Sequence, residues 1–333
     1  MATRKKINPS SKTNNDTGFG VQASSIGGRF VNKDGSFNIR KIGHPIWERI
    51  SIYSWLLELS SFKFLMVIVL FYFLANLFFT LLYFMLGQQQ IQGLVALSEW
   101  SRFKELFYFS TQTFTTVGYG RINPVGDFAN TIASLESLSG LLFFALVTGL
   151  LYGRFTRPKA YLKFSNNALI SPYRNGTALM FRMVPYKQNH HITDARVVVN
   201  IAFIDHEGEK QVYKFFTLNL ERHRIDALST NWTVVHPIDE ESPLLNFTNE
   251  DLRNSDFEMY VQVTGFDHIF SNNVMQRTSY TYKEIVWGAK FQPMYTEATD
   301  DSTTIVDIKK LNEFQPVQLP VTLASYIPDA VKV

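Results

Sequence analysis

The sequence predicts a membrane α + β protein: two membrane-spanning helices enclosing a short re-entrant half-helix, followed by a β-sandwich. Three observations carry this. An uncharged apolar run extends from Phe64 to Leu86, and a second apolar stretch covers about Phe128 to Phe155. After Arg157-Pro158 the texture changes to two-residue alternation that continues nearly to the C-terminus. The chain has 333 residues, of which 46% are hydrophobic and 18% charged; these soluble-looking averages hide how unevenly the apolar residues are placed. A net charge of +3 is too small to argue for a nucleic-acid partner. The absence of cysteine excludes disulfides and cysteine metal sites. The first apolar stretch comes only after about sixty polar or mixed residues, so no signal peptide is expected and the first span serves as its own insertion signal.

In chain order, residues 1–28 are rich in Ser, Thr, Asn and Gly and read as a disordered tail. Arg29 to Gly43 offers a strand-turn-strand with Asp34-Gly35 as its turn. From Ile46 to Leu59, Ile46, Ile50, Tyr53 and Leu57 recur at helical spacing with Trp47 beside them. That pattern predicts an amphipathic helix lying on the bilayer surface, within a 29–60 segment, although a helix on a soluble core would share it. Phe64 to Leu86 has only Asn76 and Thr80 as clearly polar residues, and a ~30 Å hydrocarbon core needs roughly 20 such residues. The second span carries Asn130, Glu136 and several Ser and Thr, a polar stripe that belongs against protein or water rather than lipid. Phe103 to Thr115 between them is too short to cross, which is the outline of a re-entrant loop over 103–121 within a two-helix domain at 61–157.

Lys and Arg placement sets the orientation. Arg40, Lys41 and Arg49 precede the first span and Arg154, Arg157, Lys159 and Lys163 follow the second. Arg102, Lys104 and Arg121 between them are offset by Glu99, Glu105 and Asp127, so both ends are expected in the cytoplasm. Sequons at Asn15, Asn175, Asn231 and Asn246 then never meet the glycosylation machinery. In the region 158–333, the segments 178–184, 196–204, 212–220, 232–238, 257–266 and 279–287 read as strands. Asn175-Gly176, Glu207-Gly208, Pro237 and Pro243 supply turn signals, and the set argues for a β-sandwich.

Thr116-Val117-Gly118-Tyr119-Gly120 resembles the selectivity-filter loop of potassium channels. At residue frequencies of ~5–7%, a chance match in such a chain is on the order of 10⁻⁴, the alternative being a plain glycine turn between spans. The chemistry needs these residue types. A dehydrated K⁺ must be met by oxygens that replace its hydration shell, here from Thr116, Val117, Gly118 and Tyr119. Aiming successive carbonyls at one axis requires backbone of alternating hand, which Gly118 and Gly120 adopt without a Cβ clash. Thr116 adds its hydroxyl, while Val117 and Tyr119 are expected to brace the loop against the half-helix. One chain supplies a quarter of each ring of ligands, so a homotetramer is implied. The negative C-terminal end of the half-helix would favour a cation.

The whole chain, from about residue 29 to 315, resembles the inward-rectifier potassium channel family, most of all its bacterial members. The matching stretches are NKDGSFNIRK (Asn32 to Lys41), TTVGYG (Thr115 to Gly120), GRFTRPKA (Gly153 to Ala160), FSNNALIS (Phe164 to Ser171), VVHPIDEESPL (Val234 to Leu244) and RTSYTYKEIVWG (Arg277 to Gly288). The resemblance implies an immunoglobulin-like cytoplasmic β-domain that extends the pore and gates it, in a bacterial inner membrane. It implies bending points at Gly140 and Gly149 and a gate at Tyr152, with Thr148 and Phe144 one and two turns above. As an aromatic near the end of a span, Tyr152 also suits an interfacial anchor. It implies no cofactor, with anionic phospholipid or phosphoinositide as regulator at Arg154, Arg157 and Lys159, and Arg40 and Lys41 as lesser candidates. Topology alone would explain the same charges, and the sign of a lipid effect stays open. Coupling would run through the Arg154–Ala160 linker with the surface helix as lever.

The departures bear on function. Strongly rectifying animal members carry an acidic residue where this chain has Phe144, so polyamine or Mg²⁺ is expected to block weakly; Ba²⁺ is a further expected blocker. Glu136 either faces the cavity or hydrogen-bonds behind the filter. Gln112 replaces a pore-helix glutamate common in animal channels, and Arg121 sits one place before the arginine that commonly pairs with it. His190-His191 suggests a surface pair in a turn before it suggests a metal or pH sensor. No G-x-x-x-x-G-K, G-x-S-x-G or H-E-x-x-H appears, so no enzyme is expected. The competing readings are a non-conducting membrane-tethered scaffold, a potassium-uptake subunit, which would carry several pore loops, and a channel with a nucleotide-binding domain, which would need alternating helices.

Overall fold

A computed structural model gives the architecture, describing residues 7–14, 29–40, 43, 45, 51–207, 210–296 and 304–320. The chain divides at Arg40 and Arg157 into a helical unit and a β-rich unit made of the segments on either side.

The helical unit opens with α1 (Ile52–Glu58), capped by Ser51, whose side chain accepts from the Ser54 amide. The predicted surface helix starts earlier, at Ile46, but 46–50 lie outside the described residues. Leu59 leaves helical geometry, and Ser60 caps α2 (Ser61–Met85). At 1.5 Å per residue its 25 residues span ~37 Å, enough to cross a bilayer. Its buried positions are Phe64, Asn76, Phe79, Thr80 and Tyr83, so the two polar residues of the span lie on its protein-facing stripe. A short strand β1 (Ile91–Gln92) follows, then α3 (Glu99–Phe114). α3 begins four residues before the predicted Phe103 because Ser98 caps it and Glu99 favours the positive end of the helix dipole. Sixteen residues give ~24 Å, too short to span. β2 (Asn123–Pro124) pairs antiparallel with β1 and ties the loop after α3 to the loop before it. α4 (Asp127–Phe155) is a 29-residue helix. Phe79, Tyr83, Leu106, Phe109, Phe114 and Ala129 form the core where α2, α3 and α4 meet.

The β-rich unit is a sandwich. One sheet runs β11 (Asn272–Thr281), β10 (Glu258–Asp267), β6 (Ile192–Glu207), β7 (Lys210–Thr217), with β8 (Arg224–Leu228) also on β6. The other runs β12 (Ile285–Trp287), β4 (Ala168–Tyr173), β5 (Gly176–Pro185), β3 (Leu162–Phe164), with β9 (Trp232–Ile238) also on β5. Val197, Val199, Ile201 and Phe203 of β6, spaced by two, point into the same core as Leu179, Phe181 and Met183 of β5. The predicted strand 279–287 is broken in two. Thr281 and Glu284 form a capping box around a single 3-10 turn, and the chain then joins the other sheet as β12. Thr248 and Asp251 form a second capping box that starts the short helix α5 (Asn249–Asn254) inside a region expected to be all strand.

Two N-terminal segments pack on this unit. The predicted turn at Asp34-Gly35 is present: Asn32 and Ser36 pair, and Val31 bridges Phe37. Gly35 has φ +86°, and a Cβ there would overlap the Arg277 carbonyl, so glycine is required by conformation and by space. Phe30 and Val31 donate their amides to the buried Glu258 carboxylate. Serine 279 donates its hydroxyl to the Val31 carbonyl, and Phe30 packs edge-on against Tyr213 and Tyr260. The tail predicted to be disordered departs from that expectation over residues 7–14: Asn8 donates to the Glu240 and Ser242 carbonyls and Thr13 bridges Phe216. A strand edge that would otherwise expose unpaired backbone groups accounts for this docking. The rest of 1–28 lies outside the described residues.

Candidate ion-conduction site

The filter loop grows from the C-terminal end of α3. Thr115 caps the helix, its amide and hydroxyl donating to the Thr111 carbonyl. Thr116 N donates to the Thr113 carbonyl at 3.0 Å, and Val117 N and Gly118 N donate to that of Gln112 at 2.8 and 3.3 Å. Thr116, Gly118 and Gly120 have φ of +59°, +50° and +83°, whereas Val117 and Tyr119 stay at negative φ. This is the alternation of hand that turns successive carbonyls to one side. Gly118 and Gly120 adopt it freely, but Thr116 is β-branched and left-handed backbone costs such a residue roughly 1–2 kcal/mol. The sequence points to the two glycines and not to this third left-handed residue; the need for strict alternation is the signal that would have found it.

All five filter residues are exposed in the single chain. Tyr119 is 79% and Val117 53% accessible, so the expected bracing of these two side chains against the half-helix is not made within one chain. Beyond the filter, Asn123 donates to the Gly120 carbonyl, and Arg121 lies 3.7 Å from Glu105 of α3, which also accepts the Val95 amide.

Glu136 is fully buried. It accepts from the Tyr83 hydroxyl at 2.7 Å and from the Ser110 hydroxyl at 2.5 Å, which settles its two alternatives in favour of a position behind α3. One turn further along α4, Gly140 is also buried, and a Cβ there would overlap the Phe114 carbonyl at the end of α3. Gly140 is therefore a close-approach glycine, and α4 runs unbroken through it. A Cβ at Gly149 meets nothing.

Phe144, Thr148 and Tyr152 lie four residues apart on α4 and are all accessible in the single chain; Tyr152 is 71% exposed. Arg154 makes contacts that the sequence does not predict. Its guanidinium donates to the carbonyls of Leu56, Leu57 and Leu59 at 2.9, 3.3 and 2.8 Å and stacks over Phe64 at 4.5 Å. It therefore caps the C-terminal end of α1, where orphan carbonyls and the negative end of the dipole attract a cation. Tyr53 and Leu57 of α1 close over Gly153 beside it. Arg157, Lys159 and Arg40 are exposed, and Lys41 lies outside the described residues. Lys159 lines a cavity of about 330 Å³ in the β-rich unit together with Asp34, Tyr161, Tyr186 and Arg277.

His190 and His191 are separated in role. His190 Nδ1 lies 2.8 Å from the buried Asp267, and its ring packs on Tyr161 and Phe270, whereas His191 is exposed. Burial pushes the Asp267 carboxyl up, but the amides of Phe270 and Ile269 and the His190 imidazole outweigh it and hold it below the usual range. Among the described residues no group of three or more His, Asp or Glu side chains could hold a metal ion.

Two apolar spans, one half-helix between them and a loop of alternating hand at its end define a pore-loop ion-channel subunit, a membrane protein. Residues 63–157 match the ion channel family, and residues 162–330 match the inward rectifier potassium channel C-terminal domain. Over 288 residues the chain is 36% identical to inward rectifier potassium channel Kirbac3.1 of Paramagnetospirillum magnetotacticum, covering 86% of this chain and 95% of that one. It is 27% identical over 227 residues to inward rectifier potassium channel irk-1 of Caenorhabditis elegans and 29% identical over 204 residues to inward rectifier potassium channel 4 of Mesocricetus auratus. Those matches cover 64% and 57% of this chain but only 41% and 45% of the animal proteins, less than half their length. The chain belongs to the inward-rectifier potassium channel family.

Proposed function

We propose that four copies of this chain surround one axis and conduct K⁺ passively, with the carbonyls of Thr116 to Tyr119 and the Thr116 hydroxyl replacing the ion's water. The observation that carries this reading is the alternating backbone of the filter together with its exposure in a single chain. A tetramer buries that loop and supplies the neighbours that Val117 and Tyr119 lack. The stripe Phe144, Thr148 and Tyr152 then lines the path below the filter, and four Tyr152 side chains close it by occlusion and dewetting. Phe144 offers no carboxylate to a trapped polyamine, which supports weak rectification. Lys and Arg placement supports cytoplasmic termini and a cytoplasmic β-rich unit, and the similarity to a bacterial relative supports a bacterial inner membrane. Arg154, Arg157 and Lys159, with Arg40 and Lys41 as lesser members, meet anionic lipid headgroups, and Arg154 also ties α1 to the end of α4.

Purified protein in liposomes tests the reading by barium-sensitive rubidium uptake. Filter-dependent flux supports a channel, whereas no flux under any lipid condition supports a scaffold that uses the β-rich unit to bind another protein.

A further inference from the structure

The polar residues inside the helical unit are not scattered. Asn76, Thr80, Ser110 and Glu136 are all fully buried, and with Tyr83 they form one connected group at the junction of α2, α3 and α4. Thr80 donates its hydroxyl to the Asn76 carbonyl, and Ser110 Oγ lies 3.1 Å from that carbonyl and 3.3 Å from the Asn76 side-chain oxygen. At the centre, Glu136 takes one hydroxyl from α2 and one from α3. A carboxylate inside the hydrocarbon region is expensive unless its oxygens are satisfied, and here each oxygen has its own donor from a different helix.

We infer that Glu136 is a positioning residue for ion selection: its carboxylate is the brace that fixes the half-helix α3, and through it the filter, to α4. The inference rests on the channel reading above. The geometry that carries it is a matched pair of contacts. Ser110 and Phe114 are one turn apart on α3, and Glu136 and Gly140, which meet them, are one turn apart on α4. The two helices thus mesh over consecutive turns, by a hydrogen bond at one and by backbone contact at the next. Between those turns lies Gln112, whose carbonyl receives the amides of Val117 and Gly118. Any slide or rotation of α3 that breaks the Glu136 contact therefore moves the anchor of the filter itself.

The test measures the ratio of rubidium to sodium uptake in liposomes containing the full chain, alongside tetramer content after extraction. Wild type must first show a high ratio; if it does not, the channel reading fails and not this one. Glu136→Leu removes both links of the brace, leaving the Tyr83 hydroxyl unpartnered and Ser110 bonded only to Asn76, and is expected to lower the ratio by roughly tenfold or more. Glu136→Gln keeps an acceptor for Tyr83 and a polar partner for Ser110, and is expected to restore most of it. Should Glu136→Leu not assemble, Tyr83→Phe and Ser110→Ala each remove one donor and are expected to lower the ratio in intact tetramers. Selectivity unchanged in assembled variants, with only total flux or tetramer content reduced, would make Glu136 a structural residue alone. Equal loss of selectivity in the Gln and Leu variants would overturn the hydrogen-bonded brace.

Discussion

Arg154 offers the sharpest quantitative prediction. Arg154→Gln removes a cation that reaches three backbone carbonyls at 2.8–3.3 Å and stacks on Phe64. Hydrogen bonds to a charged group contribute about 1.5–3 kcal/mol, a cation at a helix C-terminus about 0.3–1, and a cation–π contact in a partly exposed site about 0.5–1. These contributions overlap, and Arg154 is half-buried, so the docking of α1 is expected to weaken by about 2–3 kcal/mol in all. At 1.36 kcal/mol per tenfold, local opening of α1 becomes roughly 30- to 150-fold more frequent. Hydrogen exchange at the Trp55 and Leu59 amides, both bonded within α1, reads this directly in reconstituted protein. Arg154→Lys keeps the charge but cannot span three carbonyls, and should fall between the two. Unchanged protection at Trp55 and Leu59 would refute the capping argument.

Gly140 and Gly149 of α4 should behave oppositely: Gly140→Ala forces a Cβ against the Phe114 carbonyl, an overpacking cost of about 1–3 kcal/mol that should show as reduced tetramer yield and rubidium-over-sodium selectivity. Gly149→Ala fills open space and stiffens the helix by about 0.5–1 kcal/mol, so it should reduce flux with selectivity intact. Phe144→Asp should strengthen block by internal spermine in current–voltage curves; an unchanged block would place Phe144 off the conduction path. Lys33, held over the Tyr280 ring at 3.6 Å, has its pKa lowered to about 8, chiefly by burial, with Glu284 opposing. A lysine that binds its proton less tightly when folded gains stability as pH rises, from about 8 toward its ordinary ~10.4, and loses it as pH falls through 8. Thermal unfolding of the β-rich unit should show that rise, and Lys33→Met should flatten it.

Elements set by local rules were legible in the sequence. Phe64 to Leu86 read as a span from its charge-free length, and the alternating residues of β6 and β10 announced their sheet. Asp34-Gly35 announced its turn. Errors arose where a short-range cap outranked periodicity. The Ser98 cap extended α3 upstream through polar residues, and the Thr281–Glu284 box cut one apparent strand into two. The Thr248–Asp251 box had the same signature and opened α5.

The site was legible only in part, for a different reason. The filter is a contiguous motif, so its residues could be named before its geometry was known. Glu136 and Arg154 act on partners far away in sequence: Tyr83 is 53 residues from Glu136, and Leu56 is 98 residues from Arg154. Nothing in a one-dimensional pattern distinguishes a buried brace from a cavity-facing acid. Likewise, an arginine after a span satisfies topology, lipid binding and helix capping equally well until its acceptors are seen.

Potassium selection by the exposed loop is the claim on which the rest depends, and a reversal potential measures it most directly. With K⁺ on one side of a planar bilayer and Na⁺ on the other, current through the reconstituted protein should reverse far from zero, on the potassium side. A reversal potential near zero would mean that sodium passes as readily, and the carbonyls of Thr116 to Tyr119 would not be choosing the ion.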